Sequence, residues 1–177
     1  RGGLIWVGTR LGGVHKWKPL SWQFGHVAPE GNRPTGPGSG HVTSFSEDRA
    51  GRLWIGTYDA GLHVMERTSG EMTAYRHQPG NPRSLASNKV MALRHDHRGD
   101  LWVGTMRGLN RYSAGKITTY TQTSSGLPNN VVYGVAVIKG TVWAATAAGT
   151  GALNLKTGAW QIYDQNNTVM HEPWCYA

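Results

Sequence analysis

Two short segments hold residues whose types suit metal or redox chemistry. The first, RHDHRG, places His95, Asp96 and His97 side by side. The second, HEPWC, spans residues 171–175 and holds a histidine, a glutamate and a cysteine. Imidazole, carboxylate and thiolate groups are the ligands that zinc and related metals take in proteins. The second segment is therefore open to two interpretations, a metal or redox site or the start of an ordinary strand with one free thiol.

Other catalytic signatures are missing from the sequence. There is no Gly-x-Ser-x-Gly elbow and no glycine loop of the phosphate-binding type. Paired carboxylates for glycoside hydrolysis cannot be picked out among the ten acidic residues. The single cysteine, Cys175, excludes an internal disulfide and a Cys-x-x-Cys-His haem motif. The sequence therefore predicts a non-catalytic protein without a cofactor or a metal.

The charge balance is basic but gives no nucleic-acid signature. The 18 Lys and Arg residues outnumber the 10 Asp and Glu residues, yet they are scattered along the chain. No apolar run approaches the roughly 20 residues of a membrane span, so we expect no membrane insertion. The first residue is Arg1 in mid-motif, so we expect a partial or processed chain whose targeting signal is not visible.

A seven-residue motif recurs four times and dominates the organisation of the chain. It reads GLIWVGT at 3–9, GRLWIGT at 51–57 and GDLWVGT at 99–105, and a degenerate copy reads GTVWAAT at 140–146. The four motif tryptophans are spaced by 48, 48 and 41 residues. A propeller blade repeats every 40 to 45 residues or so, whereas a catalytic motif is normally needed once. The motif is therefore predicted to be a structural joint.

The segment before each tryptophan predicts a β-hairpin of fixed length. A valine stands 12 residues before three of the tryptophans, and a glycine stands three residues before them, at Val42, Val90 and Val131 and at Gly51, Gly99 and Gly140. Asp48 and Asp96 open a D-x-x-G turn, in which the aspartate bonds its own backbone and the glycine takes positive φ. In this gap-free alignment Val137 replaces the turn aspartate of the fourth repeat.

Each repeat reads as four short strands, which predicts an all-β fold, a β-propeller of four-stranded antiparallel blades. The competing architecture is a β-sandwich, which has no reason to repeat at this period. We expect one propeller region over 1–177, with repeats at 1–40, 41–86, 87–127 and 128–171 and a further inner strand at 172–177. Two arrangements are open, a four-bladed ring closed by its last strand and, the one we favour, a piece of a larger ring with edges free to associate.

The pattern V…D-x-x-G-x-L-W-[IV]-G-T…G-L-x-x-[YM] resembles the two-component regulator propeller repeat. The match is close in EDRAGRLWIGTYDAGLHVME and HDHRGDLWVGTMRGLNRYS, partial in the first repeat and eroded in the fourth. The resemblance implies a sensor module. Such propellers form the periplasmic part of membrane-bound histidine kinases or diguanylate cyclases, and some are secreted alone. It therefore implies a periplasmic or extracellular location.

The aromatic and His-Asp segments are better explained by this repeat than by chemistry. The motif tryptophans are expected to pack between blades rather than to stack on sugars. Trp160 aligns with apolar outer-strand positions and is expected to pack, whereas Trp17 and Trp22 lie in an irregular repeat and are open to binding. Asp96 is the turn aspartate of its repeat, and one hairpin turn cannot supply enough converging metal ligands.

A binding site is expected where two types of loop meet at one mouth of the propeller channel. These loops enter the inner strands and leave the tryptophan strands. The candidate rim residues are Arg10, His41, Tyr58, Asp59, Asn88, Met106, Arg107, Asn129, Asn130, His171 and Glu172. The expected partner is a small molecule or glycan, or a protein. The sequence leaves open a sensor module, a secreted or periplasmic scaffold subunit, and a propeller lyase or hydrolase.

Overall fold

The computed structural model describes residues 5–9, 13–18, 23–27 and 41–167. These residues form 15 strands in four antiparallel sheets, with consecutive strands as neighbours in each sheet. Those ranges contain no helix. The predicted all-β architecture of propeller blades is confirmed.

The strands follow one another from the inner to the outer edge of each blade. Blade one comprises β1 (Ile5–Gly8), β2 (Val14–Lys18) and β3 (Gln23–Val27). Blade two comprises β4 (Val42–Glu47), β5 (Leu53–Thr57), β6 (Leu62–Met65) and β7 (Met72–Tyr75). Blade three comprises β8 (Val90–His95), β9 (Leu101–Thr105), β10 (Gly108–Ser113) and β11 (Lys116–Tyr120). Blade four comprises β12 (Val132–Ile138), β13 (Thr141–Thr146), β14 (Gly149–Asn154) and β15 (Trp160–Tyr163).

The motif tryptophans of blades two and three lie buried between sheets. Trp54 is 1% exposed and packs in a cluster with Leu101 and Val103 of blade three. Trp102 is fully buried and packs in a cluster with Val142 of blade four. We call the side of a blade that carries this tryptophan its Trp face. The Trp faces of blades two and three are each covered by the next blade along the chain, as expected for an inter-blade joint.

The turn aspartate has a second role that the sequence alone does not reveal. Asp48 accepts hydrogen bonds at Oδ1 from the backbone nitrogens of Ala50 and Arg52, at 2.9 and 3.0 Å. Its other oxygen, Oδ2, accepts the indole N–H of Trp54 at 3.0 Å. Asp96 repeats this arrangement in blade three, where its Oδ2 lies 3.1 Å from the indole nitrogen of Trp102. One carboxylate therefore closes the hairpin turn and satisfies a buried donor.

The motif glycine lets neighbouring blades approach closely. A Cβ built on Gly56 would lie 2.6 Å from Cγ1 of Val90, the first residue of the next inner strand. The same construction gives 3.0 Å for Gly104 against Val132 and for Gly8 against Val42. Real Cβ atoms almost never come within 3.0 Å of another heavy atom. The valine and the glycine that the sequence repeats are thus the two sides of one contact.

The motif threonine closes the turn between the second and third strands. Its hydroxyl donates to a backbone carbonyl across that turn in every blade, in the pairs Thr9–Gly13, Thr57–Gly61, Thr105–Gly108 and Thr146–Gly149, at 3.1, 2.8, 2.8 and 2.6 Å. This hydroxyl is buried in blades two, three and four. The tryptophan, the second glycine and the threonine of the motif therefore each have a structural role.

The gap-free alignment of the fourth repeat is wrong by one residue. Trp54 and Trp102 pair with residues eight positions earlier, whereas Trp143 pairs with Ala136, seven positions earlier. The cause is a two-residue turn at Lys139 and Gly140, with φ of 48° and 78°, in place of the three-residue turns of the earlier blades. Val132, not Val131, therefore matches Val42 and Val90.

The same shift corrects the position assigned to the lost turn aspartate. Ile138, not Val137, occupies it, because Val137 pairs with Val142 as Glu47 pairs with Leu53. The one-residue difference was hidden because apolar residues stand at both candidate positions.

Substitution of Asp96 separates its two roles. We expect Asp96→Asn to keep the turn bonds at Oδ1 but to remove the acceptor of the Trp102 indole, lowering the free energy of unfolding by about 1–3 kcal/mol. Asp96→Ala loses both and is expected to be less stable than Asp96→Asn. Urea denaturation measures both, with the exposed Asp59→Ala as the matched control, expected to change stability by less than about 0.5 kcal/mol. Equal stability of Asp96→Asn and the unmodified chain would contradict this role of the aspartate.

Candidate functional site

The two predicted loop types meet at one end of the blades. The loop after the second strand bonds to the residue just before the inner strand in three blades, through Tyr58 to His41, Met106 to Lys89 and Ala147 to Val131, at 3.0, 3.1 and 3.1 Å. We call this end the rim. The hairpin turns of the inner and second strands lie at the other end, which we call the turn side.

Three side chains from neighbouring blades come together on the rim. The rings of His41 and Tyr58 stack with centroids 4.9 Å apart and planes inclined by 28°. Lys89, which precedes the inner strand of blade three, places Nζ 4.9 Å from the centroid of the Tyr58 ring. Lys89 is exposed, and His41 and Tyr58 are partly exposed. The cluster therefore combines an aromatic surface with a cation at the mouth of the blades.

The three asparagines that were predicted to line the rim hold the backbone of the loops that enter the inner strands. Oδ1 of Asn88 accepts a hydrogen bond from the backbone of His77 at 2.7 Å. Oδ1 of Asn130 accepts one from the backbone of Gln122 at 2.8 Å, and Oδ1 of Asn129 accepts one from Val131 at 2.9 Å. These carboxamide oxygens bond to the loop backbone, which a sequence pattern alone does not show.

The remaining candidates divide between exposed rim positions and undescribed ones. Asp59 and Arg107 are exposed on the rim, and Met106 is partly exposed beside them. The structure does not bring Asp59 or Arg107 into the His41–Tyr58–Lys89 cluster by any contact that we observe. The predictions for Arg10, His171 and Glu172, and those for Trp22 and Cys175, lie outside the described residues.

Acidic residues are unevenly divided between the two ends. Arg76, which follows the outer strand of blade two, joins Lys89 and Arg107 at the rim. Six of the eight acidic residues in the described ranges lie on the turn side or at its hairpins, namely Glu47, Asp48, Glu66, Glu71, Asp96 and Asp100. Basic residues stand at both ends, including Arg49, Arg52, Arg67, Arg98, Lys116, Lys139 and Lys156 on the turn side, so net charge does not distinguish the ends. At the rim, the exposed Lys89, Arg76 and Arg107 are the groups that can attract an anion.

The RHDHRG segment takes part in the joint between blades two and three. Nδ1 of His95 lies 2.8 Å from the hydroxyl of Ser46, and its ring meets the Trp54 ring edge-on at 6.2 Å. Burial lowers the pKa of His95, and the nearby carboxylates of Asp48 and Asp96 oppose this shift. Across the described parts of the chain, we find no group of three or more His, Cys, Asp or Glu residues placed to hold a metal.

Trp160 packs as the sequence predicts. Its strand neighbour is Leu153, and it contacts the hydrophobic cluster around Trp102. Its ring centroid lies 6.0 Å from that of Tyr120. The residue therefore belongs to the joint between blades three and four.

A buried histidine near the rim was missed by sequence reasoning. His63 is 2% exposed and pairs with Ile55 and Ala74 in the middle of blade two. Burial, with a smaller contribution from the charge of Arg76, lowers its pKa to about 4. Its Nδ1 has no hydrogen-bond partner among the described residues. The available signal was its place within the apolar run GLHVM.

The equivalent residue of blade three shows how a polar side chain is satisfied at this position. Asn110 is fully buried there. It accepts the backbone N–H of Ala86 at 3.1 Å and donates to the hydroxyl of Thr119 at 2.5 Å. In blade three this position therefore takes a buried polar side chain that ties the third strand to its surroundings, whereas blade four has Gly151 there.

Comparison with known proteins identifies the repeat. Residues 36–59 and 84–107 match the two-component regulator propeller family. These two segments are two-component regulator propeller repeats. Both segments contain an inner strand, the motif and the first residues after it. No curated protein matches the chain in sequence.

Several solved structures share the fold of this chain over almost all of its length. The extracellular domain of the hybrid two-component system BT3049 from B. thetaiotaomicron has a TM-score of 0.78 and 22% identity, with 92% of this chain and 23% of that chain covered. The extracellular domain of BT4673 from the same organism has a TM-score of 0.68 and 20% identity, with 93% and 22% covered. Virginiamycin B lyase from Staphylococcus aureus has a TM-score of 0.70 and 13% identity, with 96% and 54% covered.

These likenesses establish the fold. The chain spans less than a quarter of the length of the two extracellular domains and about half of the lyase. No helix in the described ranges is long and apolar enough to cross a membrane.

The low pKa of His63 predicts a measurable acid sensitivity. Because the unfolded chain binds a proton near pH 6.5 and the folded chain only near pH 4, stability from this group is present above about 6.5 and falls as the pH drops towards 4. The expected loss approaches roughly 3 kcal/mol. His63→Asn, which copies Asn110, is expected to remove this part of the pH dependence.

Urea denaturation at pH 7 and pH 4.5 of both proteins measures this difference. His97→Asn changes an exposed histidine and serves as the matched control. An unchanged pH dependence in His63→Asn would show that His63 is not held neutral in the folded state.

Proposed function

We propose that this chain is a non-catalytic binding module of an extracytoplasmic sensor, and that its rim binds an anionic small molecule or glycan. The observation that carries this proposal is the convergence of His41, Tyr58 and Lys89 from two neighbouring blades. The backbone beneath them is held by the loop-to-strand hydrogen bonds of the rim. A rigid scaffold that presents a few polar and aromatic side chains is the usual design of a binding site.

The chemistry of the cluster favours an anion with a flat or ring-shaped part. Lys89 supplies an exposed ammonium group, and Arg76 and Arg107 are exposed at the same end of the blades. The partly exposed ring of Tyr58 supplies a face for apolar or sugar-ring contact. A carboxylated or sulfated sugar satisfies both requirements, and an acidic peptide satisfies the first.

The signalling role is supported by kinship and by similar domains. The chain carries two-component regulator propeller repeats in blades two and three. Structures with the same fold include extracellular domains of hybrid two-component systems. In such a protein the propeller binds its ligand outside the cytoplasm, and a separate output part transmits the signal. Loop residues here can vary without loss of the fold because the motif, not the rim, holds the blades together.

Binding measurements on rim variants test the proposal. We expect isothermal titration with sulfated or uronic-acid oligosaccharides to show binding, and neutral oligosaccharides of equal length to bind more weakly. Tyr58→Ala and Lys89→Ala are each expected to weaken binding by about tenfold or more, since loss of one well-placed contact costs roughly 1.4 kcal/mol. Lys116→Ala, at an exposed position on the turn side, is the matched control and is expected to leave affinity unchanged.

Equal weakening by Lys116→Ala would indicate nonspecific charge attraction. An absence of binding by any anionic probe, with the fold intact, would favour the alternative of a scaffold subunit that binds a protein through its blades.

A further inference from the structure

The rim changes its chemistry from blade to blade. Three positions can be compared, namely the residue before the inner strand and the first two residues after the motif threonine. They hold His41, Tyr58 and Asp59 in blade two, Lys89, Met106 and Arg107 in blade three, and Val131, Ala147 and Ala148 in blade four. Blade two therefore offers aromatic rings and a carboxylate, blade three two cations, and blade four small apolar side chains.

The carboxylate of blade two is carried by a turn with a fixed backbone. Asp59 is exposed at the middle of the turn that joins β5 to β6, and this turn is one residue longer than its equivalents in blades three and four. On either side of it, the N–H groups of Tyr58, Ala60 and Gly61 each donate a hydrogen bond of 3.0 Å. The position of Asp59 on the rim is therefore set by the scaffold.

Charges of both signs stand unpaired around the Tyr58 ring. Asp59 directly follows Tyr58, so their Cα atoms are about 3.8 Å apart. On the side of blade three, Nζ of Lys89 lies 4.9 Å from the centroid of the same ring. Within the described ranges neither Asp59 nor Lys89 has an ion-pair partner. A ligand resting on this ring is therefore within reach of a carboxylate and of an ammonium group.

This pairing of charges constrains the ligand more closely than the cation alone. A ligand with only negative groups is attracted by Lys89 but repelled by Asp59. A ligand that also carries an ammonium group turns that repulsion into attraction. We propose that the rim selects ligands in which an ammonium group stands beside the anionic group, with Asp59 binding the ammonium and Lys89 the anion.

This inference rests on the proposed function, because it concerns the same site, and it narrows the class of ligand. Two kinds of small molecule have the required chemistry. One is an amino sugar that carries a sulfate or a carboxylate, and the other is an acidic amino acid or short peptide with a free amino terminus. Asp59 is the residue that determines specificity, since it distinguishes these ligands from anions without an amine.

Two matched pairs of probes test the selection by isothermal titration, with the amines protonated. The first pair is glucosamine 6-sulfate and its N-acetyl form, and the second is glutamyl-alanine with a free or an acetylated amino terminus. In at least one pair, the free amine is expected to bind about fivefold more tightly, as for one exposed ion pair. General attraction to a chain of net charge +8 would favour the acetylated, more negative member instead.

Substitution of Asp59 identifies the group that reads the amine. Asp59→Asn keeps the size of the side chain and removes its charge. It is expected to abolish the preference for the free amine without weakening the binding of the acetylated probe. Glu71→Gln removes an exposed carboxylate on the turn side and is the matched control, expected to keep the full preference.

Four results would overturn the inference. Equal affinity within both pairs would do so, while binding of sulfated oligosaccharides would leave the rim proposal standing. A preference that survives in Asp59→Asn would assign it to the bulk of the acetyl group. An equal loss in Glu71→Gln would assign it to the overall charge of the chain. Failure of every anionic probe to bind would remove the rim proposal together with this inference.

Discussion

The close approach of neighbouring blades at the motif glycine is the constraint on which the rest of the structure depends. Gly56 has no side chain, so the first valine of the next inner strand, Val90, packs directly over its backbone. At this separation the indole of Trp54 fills the space between the two sheets and loses contact with water. A buried indole N–H needs an acceptor, and Asp48 in the hairpin turn supplies it.

These linked requirements explain why the motif recurs as a unit and which blade departs from it. Burial by itself disfavours a charged Asp48, but hydrogen bonds from Trp54 and from the backbone and side chain of Arg52 lower its pKa overall. The aspartate thus stays ionised and holds the turn. Blade four has Ile138 in place of the aspartate and Ala145 in place of the glycine. Both changes fall in the one blade whose Trp face has no sheet packed on it among the described residues.

Much of the fold was predictable because the repeat fixes spacing, and spacing in a hairpin fixes which face each residue occupies. The turns at Asp48 and Asp96 and the packing of Trp160 follow from it. The one-residue shift in blade four could not be predicted from the spacing, because Val131 and Val132 are chemically alike and only the strand pairing distinguishes them. The rim was located correctly as a meeting place of loops. Its internal contacts, such as Tyr58 with Lys89, depend on side-chain directions across two blades that no single-sequence pattern encodes.

A double-mutant cycle on the glycine–valine contact tests the central claim most directly. Gly56→Ala is expected to destabilise the chain by about 1–3 kcal/mol through overpacking, and Val90→Ala to destabilise it by removing a buried side chain. The account predicts that the double variant loses less stability than the sum of the two single losses, by at least about 0.5 kcal/mol. The reason is that Val90→Ala removes the clash of the new Cβ with Val90, while the close approach to Ser44 Oγ remains. Additive losses in urea denaturation would contradict the claim that this contact sets the distance between blades.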